Sequence, residues 1–68
     1  MKQFDEYLYK RIRVVCTDGT VFEGQVDSFG GTVQGEEEYG RKEDFVSVYT
    51  GDGCYVLFRS EIKEIIEM

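Results

Sequence analysis

The chain has no histidine, no proline and no tryptophan, and it sets eight basic residues against fourteen acidic ones. Without histidine the commonest general base and the usual zinc ligand sets are missing. Ser28, Ser47 and Ser60 have no imidazole to activate them, and no other acid–base pair stands out, so the chain reads as a non-enzyme. Cys16 and Cys54 are the only cysteines and have neither Cys nor His close by in sequence. Both lie in apolar runs and read as reduced, buried small hydrophobes, with a disulfide as the alternative. No metal or cofactor is expected. No apolar run approaches the ~20 residues that span a bilayer, so no membrane contact is expected. The start, MKQFDEYLYK, places acids inside its apolar pattern and does not read as a signal peptide; the expected location is cytoplasmic.

Sixty-eight residues make one domain, 1–68. A domain of this size buries only about 60% of its unfolded surface, so a partner subunit is a natural source of extra stability. An apolar share of 41% with five tyrosines and five phenylalanines argues for a folded core. The net charge of −6 points away from polyanions, because nucleic-acid binding draws much of its affinity from phosphate neutralisation. The one local basic group is Lys10, Arg11 and Arg13, with Lys2 nearby.

The richest segment is RIRVVCTDGTVFEGQVDSF, Arg11 to Phe29. Period-two alternation of Ile12, Val14 and Cys16, then Phe22, Gly24 and Val26, is broken by Asp18-Gly19, which is the pattern of a β-hairpin. The spacing predicts strands at ~11–17 and ~20–29. Gly24 in mid-strand marks a bend or a close backbone approach. Phe4, Tyr7 and Leu8 recur at helical spacing and predict a short helix over ~3–9. Residues 30–44, punctuated by glycine and rich in glutamate, read as a long variable acidic loop, mobile or folded back as a small hairpin. FVSVYT, CYVLFR and IKEIIEM predict three further strands, with Gly51-Asp52-Gly53 as a tight turn. The fold class expected is mostly β: a short N-terminal helix followed by five short antiparallel strands, which suits a closed or nearly closed small barrel.

The hydrophobic positions Ile12, Val14, Phe22, Val26 and Phe29, with Asp18-Gly19 and Gly24, resemble the first motif of the Sm-like (LSm) domain, and YVLFRSEIKEIIE resembles the second more loosely. FEGQVDSF and SEIKEI are similar to small acidic Sm-like proteins of bacteria. The resemblance implies a bent five-stranded antiparallel SH3-like small barrel that assembles into rings by pairing strand four of one subunit with strand five of the next. It also implies an RNA site built from an Asp and an Asn after strand two and an Arg-Gly pair after strand four. Those positions fall here on Gly30, Gln34 and either Phe58-Arg59 or Arg59-Ser60, and the chain contains no asparagine. The candidate RNA contacts are Lys10, Arg11, Arg13, Gln34 and Arg59.

Strand five ends in an apolar run with no proline and few charges to guard an open edge. Period two places Ile62 and Ile66 on one face and leaves Ile65 over, so Tyr55, Leu57, Ile65 and Met68 are the candidate oligomer contacts. Tyr39 and Tyr55 are the aromatics expected to be exposed, with Tyr55 off the core phase and Phe58 on it. Glu36, Glu37, Glu38, Glu43 and Asp44 read as a solvated surface, with weak calcium association as the alternative. The reading overall is a self-associating Sm-like binding or scaffold module that contacts a protein partner, with an RNA-binding ring as the alternative.

Overall fold

The computed structural model describes residues 2–68. A single 3-10 turn, Phe4–Tyr7, opens it, shorter than the helix expected over ~3–9. Five strands follow: β1 Arg11–Cys16, β2 Val21–Gly30, β3 Phe45–Tyr49, β4 Cys54–Phe58 and β5 Ile62–Glu67. They form one sheet of order β4-β3-β2-β1-β5, in which every neighbouring pair is antiparallel. Helix α1, Thr32–Tyr39, lies between β2 and β3. A second 3-10 turn, Arg59–Glu61, carries the chain from β4 at one edge of the sheet to β5 at the other. The sheet is mostly-β as expected but is not closed into a barrel, because β4 and β5 share no ladder.

β2 organises the sheet. Its first half, Val21 to Gln25, pairs with β1, and its second half, Gln25 to Gly30, pairs with β3. Between the two ladders a Cβ on Gly24 would overlap the Tyr49 carbonyl oxygen and come within 2.8 Å of its carbon. A register shift between Val26 and Ser28 adds a bulge on the same strand, and bulges sharpen local twist. The bend brings Ile12, Val14 and Cys16 of β1 into one core with Val46 and Val48 of β3, Val26, Leu57 and Ile62. Phe4 and Tyr7 of the 3-10 turn plug its open end.

The strand positions agree with the sequence pattern to within about two residues, but residues 32–39 do not form the loop or hairpin expected there. Three consecutive glutamates favour helix, Gln34 donates to Glu38 one turn on, and Gly40 at φ 73 gives the left-handed cap that stops a helix. Gly35, which obscured the pattern, is needed for close packing: a side chain there would overlap the Glu43 carbonyl oxygen. The helix covers the outer face of the sheet, with Tyr39 edge-on to Phe45 at 5.2 Å and to Phe58 at 5.8 Å. β3 is therefore buried on both faces. Phe58 is buried as expected, yet it belongs to this outer cluster and not to the main core.

Gly24→Val is expected to lower stability by about 3 kcal/mol or more, since the new side chain meets backbone that cannot move aside cheaply. The midpoint of chemical denaturation measures it, and an unchanged midpoint would refute the close-approach reading of this position.

Candidate functional site

The candidate basic residues are largely committed to carboxylates. Lys10 reaches Glu67 at 3.4 Å, and Lys2 reaches the same oxygen at 3.0 Å. That contact raises the Lys2 pKa and holds the Glu67 carboxyl below its usual range. Arg13 pairs with Glu23 across the β1–β2 ladder. Arg11 is exposed and makes no ion pair among the described residues. Exposed pairs of this kind contribute little to stability, but they leave less positive charge for a phosphate chain.

Of Gly30, Gln34 and Arg59, the first two lie side by side. Gln34 reaches over Gly30, its Oε1 lying 2.7 Å from where a Gly30 side chain would begin. Beside them a cleft of about 310 Å³ is lined by Gln3, Phe4, Asp5, Phe29, Gly30, Gly31 and Asp44. Phe29 is 38% exposed at its edge. Arg59 stands next to the cleft, its guanidinium stacked 4.2 Å over the Phe4 ring and its Nε 2.8 and 2.9 Å from the two Asp44 carboxylate oxygens. The Asp44 hydrogen bonds, first, and its charge hold the Arg59 pKa up. Two residues that complete this geometry, Phe4 and Asp44, were not legible as site residues. Phe4 sat in the helical apolar pattern, and Asp44 sat in a run of acids.

The acidic segment is divided in two by the fold. Glu36, Glu37 and Glu38 lie exposed on α1. Glu43 and Asp44 instead clasp the turn between β4 and β5. Glu43 accepts hydrogen bonds from the Ser60 backbone N–H at 2.9 Å and from Arg41 at 2.7 Å, and Arg41 stacks 4.2 Å over Phe58. The five carboxylates therefore do not converge, and no group of three or more potential ligands is placed to hold a metal ion among the described residues.

Cys16 is buried in the core, but Cys54 is exposed, against the expectation that both are buried. It sits at the first residue of edge strand β4, where its thiol donates to Asp27 Oδ2 at 3.1 Å. Burial pushes the Cys16 thiol pKa up, while the Asp27 hydrogen bond, and behind it burial and the Asp27 charge, push up that of Cys54.

Both ends of the sheet are edges. β4, CYVLF, carries no charged residue, and β5, IKEIIE, carries Lys63 where its ladder with β1 shifts register. That shift sets which isoleucine is left over. Cys16 pairs with Ile62 and Val14 pairs with Ile65, so both isoleucines turn inward although they are three residues apart. Ile65 packs against the core, and the outward residue is Ile66, 40% exposed beside Arg13. Leu57 is likewise buried in its own chain. Tyr55 is on the core phase, paired with Val48, and its ring lies 4.9 Å from Phe22 with 39% exposure. Met68 is exposed, its N–H bonded to the Arg11 carbonyl. A second cleft, about 220 Å³, opens beside this end of the core between the β1–β2 turn, Phe22, Leu57 and Glu61.

No family model, curated protein or solved structure matches the chain. No helix among the described residues is long and apolar enough to cross a membrane.

Native thiol labelling is expected to modify one cysteine, Cys54, with Cys16 reacting only on unfolding. Asp27→Asn removes a group that keeps the Cys54 thiol protonated, so it is expected to speed labelling near pH 8; equal rates in the two proteins would contradict that role. The Glu43 carboxyl has its pKa lowered to about 2 by hydrogen bonds to Ser60 and Arg41. A lowered folded-state pKa stabilises above the unfolded value of 4.5 and is lost as pH falls from there towards 2. Glu43→Gln is expected to flatten the acid limb of the stability curve between pH 5 and about 2, as read by thermal midpoints.

Proposed function

We propose that this chain is a non-catalytic Sm-like binding or scaffold module whose copies join edge to edge and present a protein-binding surface. The observation that carries the reading is the strand order β4-β3-β2-β1-β5, which leaves two unlike free edges, an uncharged β4 and a β5 that carries Lys63, Glu64 and Glu67. Unpaired strand edges invite pairing with another chain, and neither edge carries a proline to prevent it. Pairing β4 of one copy with β5 of the next is a head-to-tail contact, which yields a ring where its rotation closes. The strong curl of the sheet and the hairpin, bend and turn positions support the small Sm-like barrel type for the fold. Covering the exposed part of Ile66 contributes about 1 kcal/mol per contact, useful to so small a domain.

RNA binding by such a ring is the competing reading, and the exposed Phe29 at the cleft that Gly30 also lines favours it, since single-stranded RNA is read by stacking and edge hydrogen bonds. Against it stand the net charge of −6 and the carboxylates on Lys10, Arg13 and Arg59.

Light scattering at tens of micromolar is expected to give an oligomer, and Ile66→Lys to move it towards monomer. A wild-type monomer would refute edge pairing. Filter binding with single-stranded RNA at two salt concentrations separates the readings: the scaffold reading expects no retention, and retention that falls steeply with salt would establish the RNA-binding ring in its place.

A further inference from the structure

A cleft of about 220 Å³ opens at the β1–β2 turn. Its floor is Cys16, Phe22 and Leu57, and its rim carries Thr17, Asp18, Thr20 and Glu61. The volume is below the ~300 Å³ at which small-molecule pockets begin, so it suits one side chain better than a cofactor or nucleotide. The Thr17 N–H bonds to the Glu61 carbonyl at 2.9 Å, which fixes the two acidic corners of the rim to each other. Asp18 makes no ion pair among the described residues; its Oδ1 accepts the Thr20 N–H at 2.9 Å. Glu61 Oε1 accepts the Phe58 N–H at 3.0 Å and is only loosely approached by Arg41, at 3.7 Å.

Elsewhere the chain builds the same chemical arrangement twice. Arg59 lies on Phe4 and bonds to Asp44; Arg41 lies on Phe58 and bonds to Glu43. In each, a planar guanidinium takes a ring face and a carboxylate together, which suits arginine and not the compact ammonium of lysine. The cleft is lined by Phe22, half-buried and met by the Tyr55 ring at 4.9 Å, and by Asp18 and Glu61, with no arginine of this chain upon the Phe22 ring. A chain of net charge −6 also draws basic partners to itself. We propose that this cleft receives an arginine side chain of a partner protein, the guanidinium laid on Phe22 and bonded to Asp18 and Glu61. The proposal names the chemistry of the partner in the scaffold reading and does not depend on how the copies pair.

The test is an NMR titration of the isotope-labelled full chain with acetyl-arginine-amide, its lysine counterpart and the uncharged citrulline counterpart. The arginine amide is expected to give saturable shifts centred on residues 16–22, 57 and 61. The lysine amide should bind more weakly, and the citrulline amide should give no site-specific shift. Glu61→Gln and Asp18→Asn keep an oxygen for the Phe58 and Thr20 N–H groups, so the fold is retained. Each is expected to weaken arginine binding about tenfold, the size of one charge-assisted hydrogen bond. Equal response to citrulline, shifts centred on Glu36, Glu37 and Glu38, or a response that never saturates would overturn the proposal. Light scattering on the same samples reads edge pairing separately, so failure of one reading is not mistaken for failure of the other.

Discussion

A single close approach, Gly24 against the carbonyl of Tyr49, is the constraint on which the rest of this structure depends. β2 has to serve two ladders, one with β1 and one with β3, and it can do so only by bending where they meet. The size of the bend is visible in Phe22 and Tyr55. In a flat sheet these residues would stand two strands apart, about 9.5 Å, and four residues along the strand, about 13 Å. Their rings are 4.9 Å apart. The curl that closes this distance is what makes a core possible in so short a chain, because it turns the inner faces of β1, β3 and β4 towards one another.

The same curl stops short of closure, and the proposed function follows from that remainder. The link between β4 and β5 is one 3-10 turn, which throws the chain from one edge of the sheet to the other and leaves neither strand paired on its outer side. That turn is held firmly. Glu43 and Asp44 grip Ser60 and Arg59 from the segment ahead of β3, and Arg59 is pressed onto Phe4 of the first 3-10 turn. The position of the two edges relative to each other therefore rests on an arginine, an aromatic ring and a carboxylate, a combination this small acidic domain uses in place of a larger core. Arg59, held in this way, has less charge to offer a phosphate.

Much of the fold was legible because period-two patterning survives in β1 and the first part of β2, while β3, β4 and β5 are short apolar runs bounded by turn residues. The alternation in β1 and β2, the Asp18-Gly19 turn and the mid-strand Gly24 are local signals, and local chemistry fixes them. The rest failed for identifiable reasons. Gly35 interrupts an eight-residue helix that the three glutamates and Gly40 otherwise announce, and only the approach of Glu43 explains why a glycine is needed there. Ile65 was placed outward by strict alternation, and a register shift opposite Cys16 turned it inward, leaving Ile66 in its place. Tyr55 is exposed and Phe58 buried as expected, but the phase of β4 is the reverse of the one expected, because α1 gives the sheet a second buried face, on which Phe58 lies, that no periodicity in β4 reveals.

Sequence alone thus determined the strand set, the hairpin, the bend and the absence of an imidazole-based active site, since each depends on residue type and spacing along the chain. Which charges are free is a different kind of fact. Lys10 and Arg13 read along the chain as part of one basic group and Arg59 as a separate candidate contact, and folding placed Glu67, Glu23 and Asp44 against them from residues ten or more positions away. Likewise Cys54 looked buried within an apolar run, but β4 is an edge strand and its first residue has solvent beside it. Pairing, exposure and edge position are properties of neighbours in space. They were decided by the tertiary structure because long-range contacts, and not local preference, choose the partner of each side chain.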